Sequence, residues 1–263
     1  MVTQPKPEFV SIKNLLMSGC SFLAILLLVL LSYAYRMGYL GRLLVLINAN
    51  FIELPTDNLS SRDWWKKEVE HQVFVSQNRQ YETCLFGDSI SSGIGNTLGK
   101  QTYNFALPGM STISQIEQLK ALTAVNLRCQ NVIIAIGTND ADYRTMNYQF
   151  FRNMKQIISI VKRMEANPPS GLSHHVILLP AFYSTLTASH DITRAGTIER
   201  VEEINALIRQ VASTEKVLIS NSGVQLLYNG QALKENLTTD GVHLNEDGKK
   251  IYREALLKIL KEF

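Results

Sequence analysis

From residue 81 onward, short apolar runs alternate with stretches in which apolar positions recur every three to four residues. The runs are YETCLF (81–86), TYNFA (102–106), NVIIAI (131–136), HVILLP (175–180) and KVLIS (216–220). Their length and β-branched content predict strands, and helical patterns fall between them at 112–126, 146–166, 194–214 and 245–262. Asn245, followed by Glu246 and Asp247, supplies a start signal for the last helix. Near-continuous apolar strands alternating with helices predict an α/β domain over 81–263, a parallel sheet covered on both faces. In such a sheet the ligand site lies beyond the carboxyl ends of the strands.

The N-terminal part has a different pattern. Residues 15–35 read LLMSGCSFLAILLLVLLSYAY, with no ionisable charge between Lys13 and Arg36. A run of this length spans a hydrocarbon core as a helix, and Tyr33 and Tyr35 sit where an interfacial belt would be. The expected organisation is a tail (1–14), a transmembrane anchor or signal segment (15–36), a linker (37–80) and the α/β domain. Met17-Ser18-Gly19-Cys20 is a poor lipobox, because the apolar run follows Cys20 instead of preceding it. Ser32-Tyr33-Ala34 fits a signal-peptidase site, but the long apolar core favours a retained anchor. A short tail ahead of a large domain places that domain outside the cytoplasm, although Lys6 and Lys13 on one side and Arg36 and Arg42 on the other leave the charge rule undecided. Within the linker, Leu40 and 43–47 form an apolar patch too short to span, and Leu54-Pro55 ends any helix. Ser60 and Asp63 mark a helix start. Trp65, Val69 and Val73 then line one face, opposite Arg62, Lys66, Lys67 and Glu70, so that this face is expected to pack on the domain.

Length and composition narrow the field. A chain of 263 residues holds one domain of ordinary size plus an appendage. The net charge of +3 is dispersed, with no basic run, so nucleic acid is not an expected partner. Cys20 lies in the apolar run, leaving Cys84 and Cys129 as a pair. Extended strands would set these about five residues apart in height, or ~16 Å, beyond the reach of a disulfide. They are therefore expected to be unpaired structural thiols that leave the redox compartment open.

Candidate chemistry collects at the predicted strand ends. Strand one ends in Phe86-Gly87-Asp88-Ser89-Ile90-Ser91, strand two in Asn104-Phe105-Ala106-Leu107-Pro108-Gly109, and strand three in Gly137-Thr138-Asn139-Asp140; Asp240-Gly241-Val242-His243 precedes the final helix. A serine hydroxyl needs a base to attack an ester, and an imidazole titrating near neutrality suits that work. Ser89 is thus the candidate nucleophile, His243 its base, and Asp240 the acid that fixes the imidazole tautomer. Amides of Ser89 and Gly109 and the side chain of Asn139 are candidate donors to the oxyanion. Met110, Phe182 and Tyr183 are candidate acyl-pocket residues. His174, His175 and His190 lack metal spacing, no glycine-rich phosphate loop occurs, and neither metal nor cofactor is expected. Ser91 replaces the second glycine of the α/β-hydrolase elbow, and acid and base only three residues apart do not fit that fold.

In this order the four blocks resemble the SGNH/GDSL hydrolase family over about residues 80–263. The resemblance implies a flavodoxin-like three-layer sandwich with strand order 2-1-3-4-5, and places nucleophile, oxyanion donors and Asp-x-x-His pair on Ser89, Gly109, Asn139, Asp240 and His243. It implies a serine esterase acting on a lysophospholipid, a short acyl ester or an acetylated glycan. Two alternatives remain open: acyl transfer to cell-surface polysaccharide, which would use the same triad, and a non-catalytic glycan-binding module, which would be expected to have lost catalytic side chains.

Overall fold

Five parallel strands order the α/β part of the chain in β2-β1-β3-β4-β5. The computed structural model describes residues 26–30, 32, 56–164, 174–191 and 195–262, and the chain forms two units, Met1–Leu54 and Pro55–Phe263. In the first unit, residues 26–30 and 32 are helical and exposed. The rest of the expected anchor at 15–35 lies outside the described residues, as does the apolar patch at 43–47. Among the described residues, no helix is long and apolar enough to cross a membrane.

In the second unit, the strands of this sheet are β1 (Gln80–Gly87), β2 (Thr102–Asn104), β3 (Arg128–Ala135), β4 (His175–Leu178) and β5 (Leu218–Ile219). Helices α1 (Asp63–Ser76), α2 (Ser89–Ser92), α3 (Thr112–Ala124), α4 (Thr138–Asp142), α5 (Asn147–Val161), α6 (Leu186–Ser189), α7 (Ile198–Glu215) and α8 (Glu246–Leu260) connect and flank them. Parallel neighbours cannot be joined by a tight turn, so each crossover carries helix to one face or the other. Within 81–263, every strand and long helix expected from the pattern is present. β5 is shorter than its apolar run because it pairs only at Ile177↔Leu218 and Leu178↔Ile219 on the sheet edge.

The two faces bury separate clusters. Phe86, Val132, Ile134 and Leu178 pack with Trp65 and Val69 of α1, Leu119 of α3, Ile157 of α5 and Ile208 of α7. Leu85, Ile133 and Ile177 point the other way, onto Ile90 of α2 and Tyr252 and Leu256 of α8. Helix α1 therefore does turn its Trp65–Val69 face to the core, while Trp64 stays exposed. Its start differs from expectation: a 3-10 turn, Leu59–Ser61, precedes it, and Arg62 occupies the N-cap position without a side-chain cap. Asn245 caps α8 as its pattern indicates, accepting from the Gly248 amide.

The cysteines correct the sequence reading. Cys84 and Cys129 form a disulfide, with Cα atoms 5.9 Å apart. The register pairs Tyr81 with Cys129 and Cys84 with Val132, an offset of three residues that full extension would stretch to ~10 Å. The strands are not fully extended there. The ladder skips the Glu82/Gln130 pair, and side-chain alternation slips at the same place. Tyr81 and Cys84 contribute to one cluster, as do Cys129 and Val132, although residues three apart on a regular strand face opposite sides. Local irregularity in both strands brings the two sulfurs onto one face, fully buried.

Candidate active site

The position of Ser89, the candidate nucleophile, is built by a corner. β1 runs into α2 with almost no connection, and a Cβ at Gly87 would stand 2.7 Å from the Ser91 hydroxyl and 2.8 Å from the Ala135 carbonyl. Asp88 caps α2 by accepting from the Ile90 amide at 3.0 Å. Ser89 is consequently the first residue of the helix, where a backbone N–H has no helical acceptor.

Opposite it, the Asp240–His243 turn is folded around one carboxylate. Asp240 Oδ1 accepts from the amides of Val242 at 2.9 Å and His243 at 2.8 Å. Asp240 Oδ2 lies 2.7 Å from His243 Nδ1, and His243 Nε2 lies 3.0 Å from Ser89 Oγ. Burial alone would raise the Asp240 carboxyl, but the His243 side chain and these two amides outweigh it and hold it down at about 2. An ionised Asp240 accepts the Nδ1 proton and leaves the Nε2 lone pair facing the serine hydroxyl. The His243 carbonyl in turn accepts from Thr238 Oγ1 at 2.7 Å and the Thr239 amide at 3.0 Å, fixing the loop.

The third wall carries Gly109 and Asn139. Gly109 has φ +75°, a conformation in which a side chain would be strained. Its amide finds no acceptor among the described residues, while its carbonyl accepts from Tyr143 Oη at 2.9 Å. Asn139, on α4, donates one Nδ2 hydrogen to the Met110 carbonyl at 2.9 Å, leaving the other for a ligand. Behind them Asp140 is fully buried, accepting from the Thr112 amide at 2.9 Å and Thr112 Oγ1 at 2.6 Å. Burial lifts the carboxyls of both Asp88 and Asp140 to about 6, against the hydrogen bonds that favour their ionised forms. Burial, with the nearby carboxylates of Asp57, Asp142 and Asp140, pushes the Tyr143 phenol up to about 12, so it stays a donor to Gly109.

Ser89, His243, Gly109 and Asn139 line one cavity of about 310 Å³, and Phe182 and Tyr183 line it with them. Met110 does not. Its side chain is fully buried in the core and its Sδ accepts from Trp65 Nε1 at 3.1 Å. The sequence reading gave no role to Tyr143, Thr112 or Thr138, whose Oγ1 accepts from the Phe182 amide at 3.0 Å. Asp140 lies in the Gly-Thr-Asn-Asp block, but nothing in that block announces its acceptor role; Tyr143, three residues further, carries no sequence signal. His174 and His175 each use Nδ1 within the sheet, toward the Cys129 carbonyl and Asn131 Oδ1, both at 3.1 Å.

This fold and this arrangement define a class. Residues 85–251, more than half of the chain, match the GDSL-like lipase/acylhydrolase family, and the chain belongs to it. It is an ester-hydrolysing enzyme. Among solved structures it is similar to a GDSL-like lipase from Bacteroides thetaiotaomicron, at 18% identity and TM-score 0.56, over 75% of this chain and 97% of that one. The lipase/acylhydrolase from Enterococcus faecalis gives 19% identity and TM-score 0.54, over 70% and 96%. Est24, a carbohydrate acetylesterase from Sinorhizobium meliloti, gives 17% and 0.51, over 70% and 100%. No curated protein matches the chain.

Proposed function

We propose that the chain is a membrane-anchored serine esterase that removes a short acyl group from a bulky alcohol through an acyl-enzyme on Ser89. The observation that carries this is the unbroken relay from Asp240 through both ring nitrogens of His243 to Ser89 Oγ. His243 takes the serine proton as Oγ attacks the ester carbonyl, and Asp240 steadies the imidazolium that results. The oxyanion forms against the amides of Ser89 and Gly109 and the free Nδ2 hydrogen of Asn139. His243 then gives its proton to the departing alcohol. In the second half, it takes one from water, whose oxygen attacks the acyl carbonyl, and returns it to Ser89 Oγ as the bond to serine breaks and the acid leaves.

Cavity size and exposure support the substrate class. At about 310 Å³ the cavity is at the small end for ligand sites and suits a short acyl group better than a fatty chain. The side chains of His243 and Asp240 are 49% and 42% exposed, so the leaving-group side opens to solvent and accepts a large alcohol. An acetylated glycan meets both conditions; a lysophospholipid meets only the second. Turnover of p-nitrophenyl esters from acetate to palmitate tests this: kcat/KM should fall as the chain lengthens, and a maximum at palmitate would contradict it.

Residues 15–35 serve as the anchor in this proposal, and the catalytic domain faces away from the cytoplasm. The disulfide supports that orientation, because such bonds persist in oxidising compartments. Alkaline phosphatase fused after Phe263 should be active, and green fluorescent protein there should be dark; the reverse pattern would overturn the topology.

A further inference from the structure

The loop that presents the Gly109 amide runs from Phe105 to Ser111, and it is gripped by residues that precede the family-matched region 85–251. Asp57 reaches it first. Its Oδ2 accepts from the Ser111 hydroxyl, from the Ser114 amide at 3.0 Å and from Ser114 Oγ at 2.6 Å, while Oδ1 accepts from the Leu59 amide at 3.1 Å. Ser111 is also the N-cap of α3, so one carboxylate ties the end of the loop to the start of the helix. Asp57 fixes Leu59 as well, and Leu59 covers Gly109: a Cβ built there would lie 3.5 Å from Leu59 Cδ1. Further along, Trp65 Nε1 donates to Met110 Sδ, and Gln72 and Gln118 both donate to the Phe105 carbonyl, at 3.3 and 2.7 Å. On its other side the loop is held by Tyr143 and Asn139. Two walls thus confine it.

We infer that Asp57, with Leu59, is a positioning element for the oxyanion site, setting where the Gly109 amide points without touching the substrate. The physical ground is the sensitivity of a preorganised donor to placement. A misplacement of about 1 Å costs on the order of 10²-fold in rate, comparable to removing an oxyanion donor outright. Gly109 has no side chain to lock its own orientation, and its positive φ is maintained by contacts from outside the loop. A carboxylate accepting four hydrogen bonds is well suited to supply that constraint. The inference rests on Gly109 and Asn139 acting as oxyanion donors.

The test is a pair of mutant cycles on the full chain, with p-nitrophenyl acetate as substrate. Asp57→Ala should lower kcat about 10–100-fold with KM within about twofold, because only transition-state binding is lost. Asp57→Asn, which keeps one acceptor oxygen while the serine hydroxyls can reverse their roles, should recover part of the rate. Because Asn139 also holds this loop through the Met110 carbonyl, Asp57→Ala combined with Asn139→Ala should lose less than the product of the two single losses. Leu59→Ala, which leaves the Asp57 hydrogen bonds in place, should behave the same way and serves if Asp57→Ala does not fold. Full kcat in folded Asp57→Ala or Leu59→Ala, or losses that multiply with that of Asn139→Ala, would overturn the inference. An Asn139→Ala variant with unchanged kcat would instead sink the oxyanion assignment beneath it.

Discussion

Reducing the Cys84–Cys129 bond should cost the protein a large part of its stability. The bond closes a loop of 45 residues and lies wholly inside the core, where both cysteines are 0% exposed. On the loop-entropy account, a cross-link over 45 residues restricts the unfolded chain by ~13 cal/mol/K, or ~4 kcal/mol at 25 °C. For a domain of about 200 residues that corresponds to a fall in Tm of roughly 8–16 °C. Reductant cannot reach the bond in the folded protein, so the chain is unfolded with reductant and refolded, and its urea midpoint compared with that of the oxidised form. Maleimide labelling in denaturant verifies the state: of the three cysteines, one should react before reduction and all three after. Three adducts without reductant would show that the bond does not form. Oxidised and reduced stabilities within about 1 kcal/mol would refute the loop-entropy reasoning.

Two further outcomes follow from the site. Asp240→Asn should lower kcat by about 10²–10⁴-fold with little change in KM, because it removes the charge behind the imidazole and favours the wrong tautomer; steady-state kinetics decides, and a rise in KM alone would contradict the role. The second concerns pH. The folded carboxyl of Asp88 titrates at about 6, above its ordinary 3.8, so the folded protein binds that proton more tightly than the unfolded chain. Its contribution to stability is complete below about pH 4 and is lost as pH rises through about 6. Asp88→Asn keeps an acceptor for the Ile90 amide but does not titrate. The Tm of wild type minus that of the variant should therefore fall between pH 4 and pH 7, the similar shift at Asp140 being common to both proteins. A difference flat across that range would contradict the assignment.

The parts of this molecule readable from sequence are those fixed by local pattern. Apolar runs between helical periods gave the strands. The Gly-Asp-Ser, Gly-x-Asn-Asp and Asp-x-x-His blocks each place a candidate side chain at a tight bend within three or four consecutive residues, and in the first of them Asp88 also caps the helix that follows. What was hidden depends on contacts distant along the chain. Asp57 meets Ser111 and Ser114 more than fifty positions away, and nothing beside Asp57 in sequence announces a partner. Met110 adjoins Gly109, yet the chain turns at Gly109 with positive φ, and the Met110 sulfur goes to Trp65 in the core. The disulfide was missed for a similar reason. A height argument assumes regular extension, and the skipped pair at Glu82 and Gln130 breaks it.

Everything in the proposed mechanism depends on Ser89 carrying the acyl group. The most direct test is to mix the enzyme with p-nitrophenyl acetate, quench in acid within the first turnovers, and read the peptide containing residue 89 by mass spectrometry. An acetyl adduct on Ser89 and a matching burst of p-nitrophenol are expected, with neither in a folded Ser89→Ala variant. Turnover by that variant at the wild-type rate, or an adduct confined to another residue, would contradict that mechanism.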